Sequence, residues 1–257
     1  MGEQPDPEFS TPVRSRRELP IVQLLPNLVT VAAICAGLTA IRFAAGGNFT
    51  VAVQLVLVAA VLDGLDGSLA RLLKSASALG AELDSLADFL NFGIAPALLM
   101  YFWAFQDMRN LGWIAVVIYA VCCVMRLARF NVGTKAETGD KPARHFEGVP
   151  SPAGALLVML PLFIERAFPE LPEIPDPLIG VYMLGVGLLM IGRLPTWSLK
   201  SVTIKRENVR YLYVGFVCFL AALISYPWTT LMTMNLLYLG SLVWAWRQTR
   251  KAAPPQV

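Results

Sequence analysis

The sequence predicts an all-α polytopic membrane protein of about eight transmembrane helices, and three observations carry that expectation. Of its 257 residues, 56% are hydrophobic and only 15% charged, which is more apolar than a soluble domain of this length. Mostly apolar runs of the length that crosses a hydrocarbon core, roughly 17 to 25 residues, fall at 22–43, 50–73, 81–105, 111–131, 151–167, 177–195, 209–226 and 229–247. With eight spans and both termini on the cytoplasmic side, 18 of the 21 basic residues lie in inside segments, as expected when cytoplasmic loops retain Lys and Arg. Only Arg42, Arg109 and Arg166 fall outside, and the third outside loop is acidic, with Glu165, Glu170, Glu173 and Asp176. An odd number of spans would spoil this alternation.

Residues 1–13 are Pro-rich and polar without apolar periodicity, the composition of a disordered tail, and they lack the short apolar core of a cleavable signal peptide. In segment 14–25, Arg14, Arg16 and Arg17 precede Leu19, Ile21, Val22, Leu24 and Leu25. This pattern suits a short basic segment on the membrane surface, or equally a positive-inside anchor. Residues 26–250 form the transmembrane domain, which Pro26 opens. Asn27 and Thr30 stand at the inner end of its first span, where they serve as a helix cap or as polar contacts to a ligand headgroup.

The longest inside loop contains Gly139 to Pro152 and carries several turn residues. Residues 251–257 form a short solvated tail. No internal repeat of the transporter kind is visible. Cys35, Cys122, Cys123 and Cys218 lie in apolar runs without metal-ligand spacing and read as packing residues. His145 is the only histidine and reads as a polar loop residue. The net charge of +3 follows from topology and from attraction to anionic membrane lipids, so no nucleic-acid partner is expected.

The chemistry concentrates in one string. Asp63, Asp66, Gly67, Ala70, Arg71, Gly80, Asp84 and Asp88 form D-x2-D-G-x2-A-R-x8-G-x3-D-x3-D inside sequence built for a membrane. One ionised side chain at mid-bilayer costs about 2.5–3.5 kcal/mol on insertion scales, so four carboxylates need a partner. The pairs Asp63/Asp66 and Asp84/Asp88 each share a helical face, and the short segment Leu72 to Gly80 makes the second and third spans antiparallel neighbours whose acidic faces meet. An all-oxygen cage suits Mg²⁺, Mn²⁺ or Ca²⁺, and two such ions would neutralise it. Gly67, Ala70 and Gly80 keep side-chain bulk away from a ligand, and Arg71 offers a donor fork to phosphate. Ser75 and Ser77 are either ligand contacts or solvated loop residues. A purely structural ion-pair network fails on charge, because Arg71 and Lys74 cannot balance four aspartates and Glu82.

This string resembles the signature of the CDP-alcohol phosphatidyltransferase family at every fixed position. The resemblance implies a membrane enzyme in which two divalent cations bridge the pyrophosphate of CDP-diacylglycerol to the aspartates, an acceptor hydroxyl attacks the lipid-side phosphorus, and CMP leaves. It implies Asp63, Asp66, Asp84 and Asp88 as metal ligands, Asp88 also as general base, and Gly67, Arg71 and Gly80 as contacts to the cytidine diphosphate. Ala70, Ser77, Asn27 and Thr30 join that binding set. The resemblance also implies a homodimer, and an active site between the second and third spans on the cytoplasmic side of the inner membrane.

Further segments are similar to the phosphatidylserine synthase branch: Asn91-Phe-Gly-Ile-Ala-Pro96, Arg126-Leu-Ala-Arg-Phe-Asn131, Phe146-Glu-Gly-Val-Pro-Ser-Pro152 and Leu194-Pro-Thr-Trp-Ser-Leu-Lys200. They imply L-serine as acceptor. Arg126 and Arg129 are candidates for its carboxylate, with positive-inside anchoring as the competing explanation, and Ser151 and Asn91 are further candidates. Glycerol phosphate, inositol phosphate and choline are the alternative acceptors. An ion-coupled transporter is the alternative of another class, but it leaves the Gly, Ala and Arg spacing unexplained.

Overall fold

The computed structural model describes residues 24–73, 75, 77–136, 148–192 and 209–252, and all the regular secondary structure among them is helical. In chain order the helices are α1 (Leu25–Ala45), α2 (Phe49–Leu72), α3 (Ala78–Asp88), a π-helical segment (Phe89–Ile94), α4 (Ala95–Ala104), α5 (Arg109–Ala136), α6 (Ser151–Val158), α7 (Leu160–Ala167), α8 (Asp176–Ile191), α9 (Val209–Ser225) and α10 (Pro227–Ala252). Among the described residues, four stretches are long and apolar enough to cross a membrane: Leu25–Ala45, Phe49–Leu72, Ala78–Ala104 and Arg109–Gly133. Asp176–Ile191 and Tyr213–Ser225 are shorter apolar helices. The chain is thus a multi-pass membrane protein by length and composition. The tail 1–13, residues 14–23 of the basic segment, His145, Leu194 to Lys200 and residues 253–257 lie outside the described residues.

Small residues set the packing of the first pair. Ala33, Ala36, Gly37, Ala40 and Ala44 form the buried face of α1, and Ala52, Val53, Val56 and Ala59 that of α2. Small side chains let helix backbones approach closely where hydrophobic driving force is weak, and α1 and α2 form the most extensive helix pair. α1 also packs on α3, the π-helical segment and α4. By contrast, α2 and α3 make little direct contact. Their acidic faces nevertheless meet, as the sequence leads one to expect, through the carboxylates of Asp63, Asp66 and Asp84, beside a cavity with α1 as its third wall.

Two prolines shape the longer rods. Pro96 has no N–H for the carbonyl four residues earlier, Phe92, and its ring would crowd that carbonyl. The chain widens there into the π-helical segment, and the Tyr119 hydroxyl of α5 donates to the Phe92 carbonyl at 3.0 Å. Pro161 does the same to Leu157, whose carbonyl accepts from the Tyr182 hydroxyl of α8 at 2.7 Å. Here the rod breaks at Met159, so the fifth expected span is the pair α6 and α7. Each orphaned carbonyl is satisfied by a tyrosine from another helix, which ties α5 and α8 into the core.

Cys122 and Cys123 are buried as expected of packing residues, whereas Cys35 and Cys218 are exposed. They sit on outward helix faces that carry Val31, Leu38, Val217 and Phe219, also exposed, which is the composition of a lipid-facing surface.

Candidate active site

The site forms at one end of the gap between α2 and α3. Asp63 and Asp66 are within the last three turns of α2, Asp84 is on the second turn of α3, and Asp88 ends α3 where the π-helical segment begins. Asp63, Asp66 and Asp84 each offer a carboxylate oxygen, and these oxygens lie within 4.8 Å of one another. The Asp88 carboxyl is within hydrogen-bond reach of Asp63 and close to Asp84. All four carboxylates therefore converge from two helices.

α1 contributes more than expected. The Thr30 hydroxyl donates to Asp66 Oδ2 at 2.6 Å, and it also approaches the Pro26 carbonyl at 3.1 Å. Asp66 is 3% exposed, yet its Oδ1 has no protein partner. A buried carboxylate oxygen without a partner is costly, and a divalent cation held by Asp63, Asp66 and Asp84 would satisfy it. Three hard oxygen donors at this separation fit such an ion.

Beside the carboxylates lies a cavity of about 140 Å³, lined by Asn27, Thr30, Asp66, Gly67, Ala70, Ser77, Gly80 and Asp84 among others. Six of the seven residues assigned by sequence to nucleotide binding thus surround one space. Arg71 is the exception, since its Nε donates to the Gly67 carbonyl at 3.1 Å and it is not part of the lining. Gly80 is required by its neighbours, because a Cβ there would stand 2.9 Å from Asn27 Oδ1 and 3.0 Å from Ser77 Oγ. Ser77 has a third role beyond the two considered: its hydroxyl accepts from the Gly80 N–H at 2.9 Å and caps α3. Asn27 makes no capping bond, as α1 has no side-chain cap, and it lies in the cavity wall.

On the far side of Asp88, Arg126 of α5 donates from Nη1 to Ser151 Oγ at 2.9 Å. Arg126 is close enough to Asp88 for direct electrostatic interaction, and its guanidinium lies 5.6 Å from the Phe130 ring centroid. Ser151 is fully buried at the first turn of α6. Its position follows from Gly148, whose φ of +90° is open mainly to glycine and at which a Cβ would meet the Met190 carbonyl at 2.6 Å. The segment entering α6 thereby docks on the end of α8.

The structure separates the remaining two acceptor candidates from this pair. Arg129 donates to the Ile191 carbonyl at 2.8 Å, capping the end of α8. Asn91 is fully buried in the π-helical segment against α1, where a Cβ at Gly37 would collide with its Oδ1. Asn131 and Ser85, neither singled out by sequence, join α5 to α3 through a 2.9 Å bond from Asn131 Nδ2 to Ser85 Oγ. Asn131 closes the segment Arg126–Asn131, and its amide is the signal the sequence offers.

Comparison with known proteins matches residues 23–192 to the family model described as CDP-alcohol phosphatidyltransferase, and residues 209–242 to CDP-alcohol phosphatidyltransferase 2. The CDP-diacylglycerol–serine O-phosphatidyltransferase of Mycobacterium leprae is 37% identical over 95% of this chain and 81% of that protein. The protein of the same description from Mycobacterium tuberculosis is 35% identical over 92% of this chain and 82% of its own length. That from Helicobacter pylori is 33% identical over 86% and 91%, respectively. Among solved structures, Mycobacterium tuberculosis phosphatidylinositol phosphate synthase with CDP-DAG bound has a TM-score of 0.49 and 22% identity, covering 67% of this chain and 86% of that one.

Proposed function

Because the chain belongs to the CDP-alcohol phosphatidyltransferase family, we propose that it transfers the phosphatidyl group of CDP-diacylglycerol to the hydroxyl of L-serine, giving phosphatidylserine and CMP. The observation that carries the reaction is the convergence of Asp63, Asp66 and Asp84 beside a cavity lined by Gly67, Ala70 and Gly80. The choice of serine is supported by relatives of that description matched over 86% to 95% of the chain.

Two divalent cations, Mg²⁺ or Mn²⁺, supply charge neutralisation for the pyrophosphate and the departing phosphate when bound to the four aspartates. The protein groups do the rest. Thr30 holds Asp66 in place, and the small residues at 67, 70 and 80 let the cytidine diphosphate approach the backbone. Asp88 accepts the proton of the serine hydroxyl as that oxygen bonds to the lipid-side phosphorus. The bond from that phosphorus to the bridging oxygen breaks, and CMP departs with the electron pair. Arg126, held by Ser151, binds the serine carboxylate on the far side of Asp88.

This reading places eight spans in the inner membrane, with both termini and the site on the cytoplasmic side, consistent with the distribution of basic residues. A homodimer among membrane lipids is part of the same family reading. The test is mass-spectrometric identification of the lipid formed from CDP-diacylglycerol when L-serine, glycerol phosphate, inositol phosphate and choline compete. Phosphatidylserine as the main product supports the assignment, and another phospholipid would keep the family chemistry while overturning the acceptor.

A further inference from the structure

The end of α5 carries Arg126, Arg129 and Asn131, and each bonds a different element. Arg126 donates to Ser151 of α6, Arg129 to the Ile191 carbonyl that ends α8, and Asn131 Nδ2 to Ser85 Oγ of α3 at 2.9 Å. The third bond reaches the helix that holds Asp84 and Asp88. Ser85 follows Asp84 and precedes Asp88 by three residues, so it flanks the acidic face of α3. Its one hydroxyl proton goes to the Ala81 carbonyl at 3.0 Å, which leaves lone pairs to accept from Asn131. The two bonds are thus compatible, and the first fixes the direction in which the second is accepted.

α3 is a helix that needs such a tie. It is 11 residues long, packs mainly on α1 and hardly touches α2. The π-helical segment interrupts the α-helical ladder between it and the well-buried α4. A turn of α3 about its own axis would carry Asp84 and Asp88 away from Asp63 and Asp66 of α2. Repulsion among four carboxylates favours that movement whenever they are ionised without a cation between them.

We propose that Asn131 is a positioning residue of the metal centre: through Ser85 it fixes the rotation of α3 that brings Asp84 and Asp88 to the carboxylates of α2. This rests on the reading of the four aspartates as metal ligands. Asn131 touches neither cation nor substrate in this role. It complements Thr30, so that Asp66 is braced from α1 and the acidic face of α3 from α5. Ligands held near their bound geometry cost less to order when the ion arrives, which strengthens binding. A neutral amide does this without adding charge to the cluster.

The test is Mn²⁺ binding, followed by EPR of the free ion, to purified wild type, Asn131→Ala, Ser85→Ala and the double variant, beside thermal melts. Each single variant is expected to raise the Kd for Mn²⁺ about three- to tenfold, which is what one neutral hydrogen bond supplies. The double variant should lose no more, because both changes remove the same bond. CMP release should fall at limiting Mn²⁺ and return to the wild-type kcat at saturating Mn²⁺, with the KM for serine unchanged. An unaltered Kd in both single variants overturns the inference whatever the melting temperature does, since only a packing role is then left. Losses that add in the double variant overturn it too, because Asn131 would act by another route. A raised KM for serine at saturating Mn²⁺, with Kd unaltered, marks Asn131 as an acceptor contact and also overturns it. These outcomes leave the metal-centre reading standing, whereas wild type that binds no Mn²⁺ defeats that reading and the inference with it.

Discussion

Thr30 on α1 donates a 2.6 Å hydrogen bond to Asp66 on α2 and leaves the other oxygen of that carboxylate buried and unpartnered. The first helix thus fixes the orientation of an aspartate to which it contributes no charge. A hydrogen bond to a charged group is worth about 1.5–3 kcal/mol. Thr30→Ala is expected to raise the Mg²⁺ or Mn²⁺ concentration for half-maximal CMP release about tenfold or more, whereas Thr30→Ser should retain the wild-type requirement. A metal titration of the three proteins checks this.

Asp88 differs from the other three aspartates in touching both Asp63 and the Arg126 side of the site. General-base assistance contributes about 10²–10⁴ in rate. Asp88→Asn should lower kcat by that order while weakening CDP-diacylglycerol binding far less, measured as kcat against the KM of the lipid. Equal losses in the two would mark Asp88 as a structural ligand.

Gly80→Ala places a methyl group 2.9 Å from Asn27 Oδ1 at the wall of the cavity beside the aspartates, the proposed place of the cytidine diphosphate. One misplaced methyl in a fitted site is worth about 1–3 kcal/mol. The KM for CDP-diacylglycerol should rise at least about tenfold. The change belongs to the cavity, so the KM for serine should move little.

Arg126 and Arg129 lie on the same helix, yet they have different partners. Arg126→Lys loses the planar donor fork beside Asp88 and should raise the KM for serine. Arg129→Lys alters only the cap on Ile191, at a stability cost of about 0.5–1.5 kcal/mol, and should leave that KM unchanged. Parallel serine titrations and thermal melts of the two variants separate these outcomes.

The tyrosine supports of the bent helices yield a stability prediction. Tyr119→Phe leaves the Phe92 carbonyl without its donor, and Tyr182→Phe does the same to Leu157. Each should destabilise the protein by about 1–3 kcal/mol, the cost of an unsatisfied buried polar group. Denaturation in detergent measures it.

Apolar length and basic-residue asymmetry made the helices legible in the sequence, because those patterns are set by the bilayer and not by tertiary contacts. The cluster of aspartates and the small residues beside it were legible for a similar reason: their spacing on a helix is local. What stayed hidden depended on partners distant in sequence. The Thr30 bond to Asp66 crosses 36 residues, and Pro96 signalled a disturbed helix without indicating that Tyr119 would repair it. Arg126 and Arg129 were equivalent by spacing, and only the placement of Ser151 and Ile191 separated them. The part α1 plays in closing the cavity beside the aspartates was invisible for the same reason, since the connection between α2 and α3 says nothing of a third helix.

The most direct measurement is CMP release by the purified protein from CDP-diacylglycerol and L-serine, first with EDTA and then with Mg²⁺ or Mn²⁺ restored. The account predicts serine-dependent release that stops with the chelator and returns with the metal, and that stays absent in Asp66→Asn. Release that continues without metal, or that proceeds equally in Asp66→Asn, would contradict the assignment of the carboxylate cluster as the metal-dependent centre of the reaction.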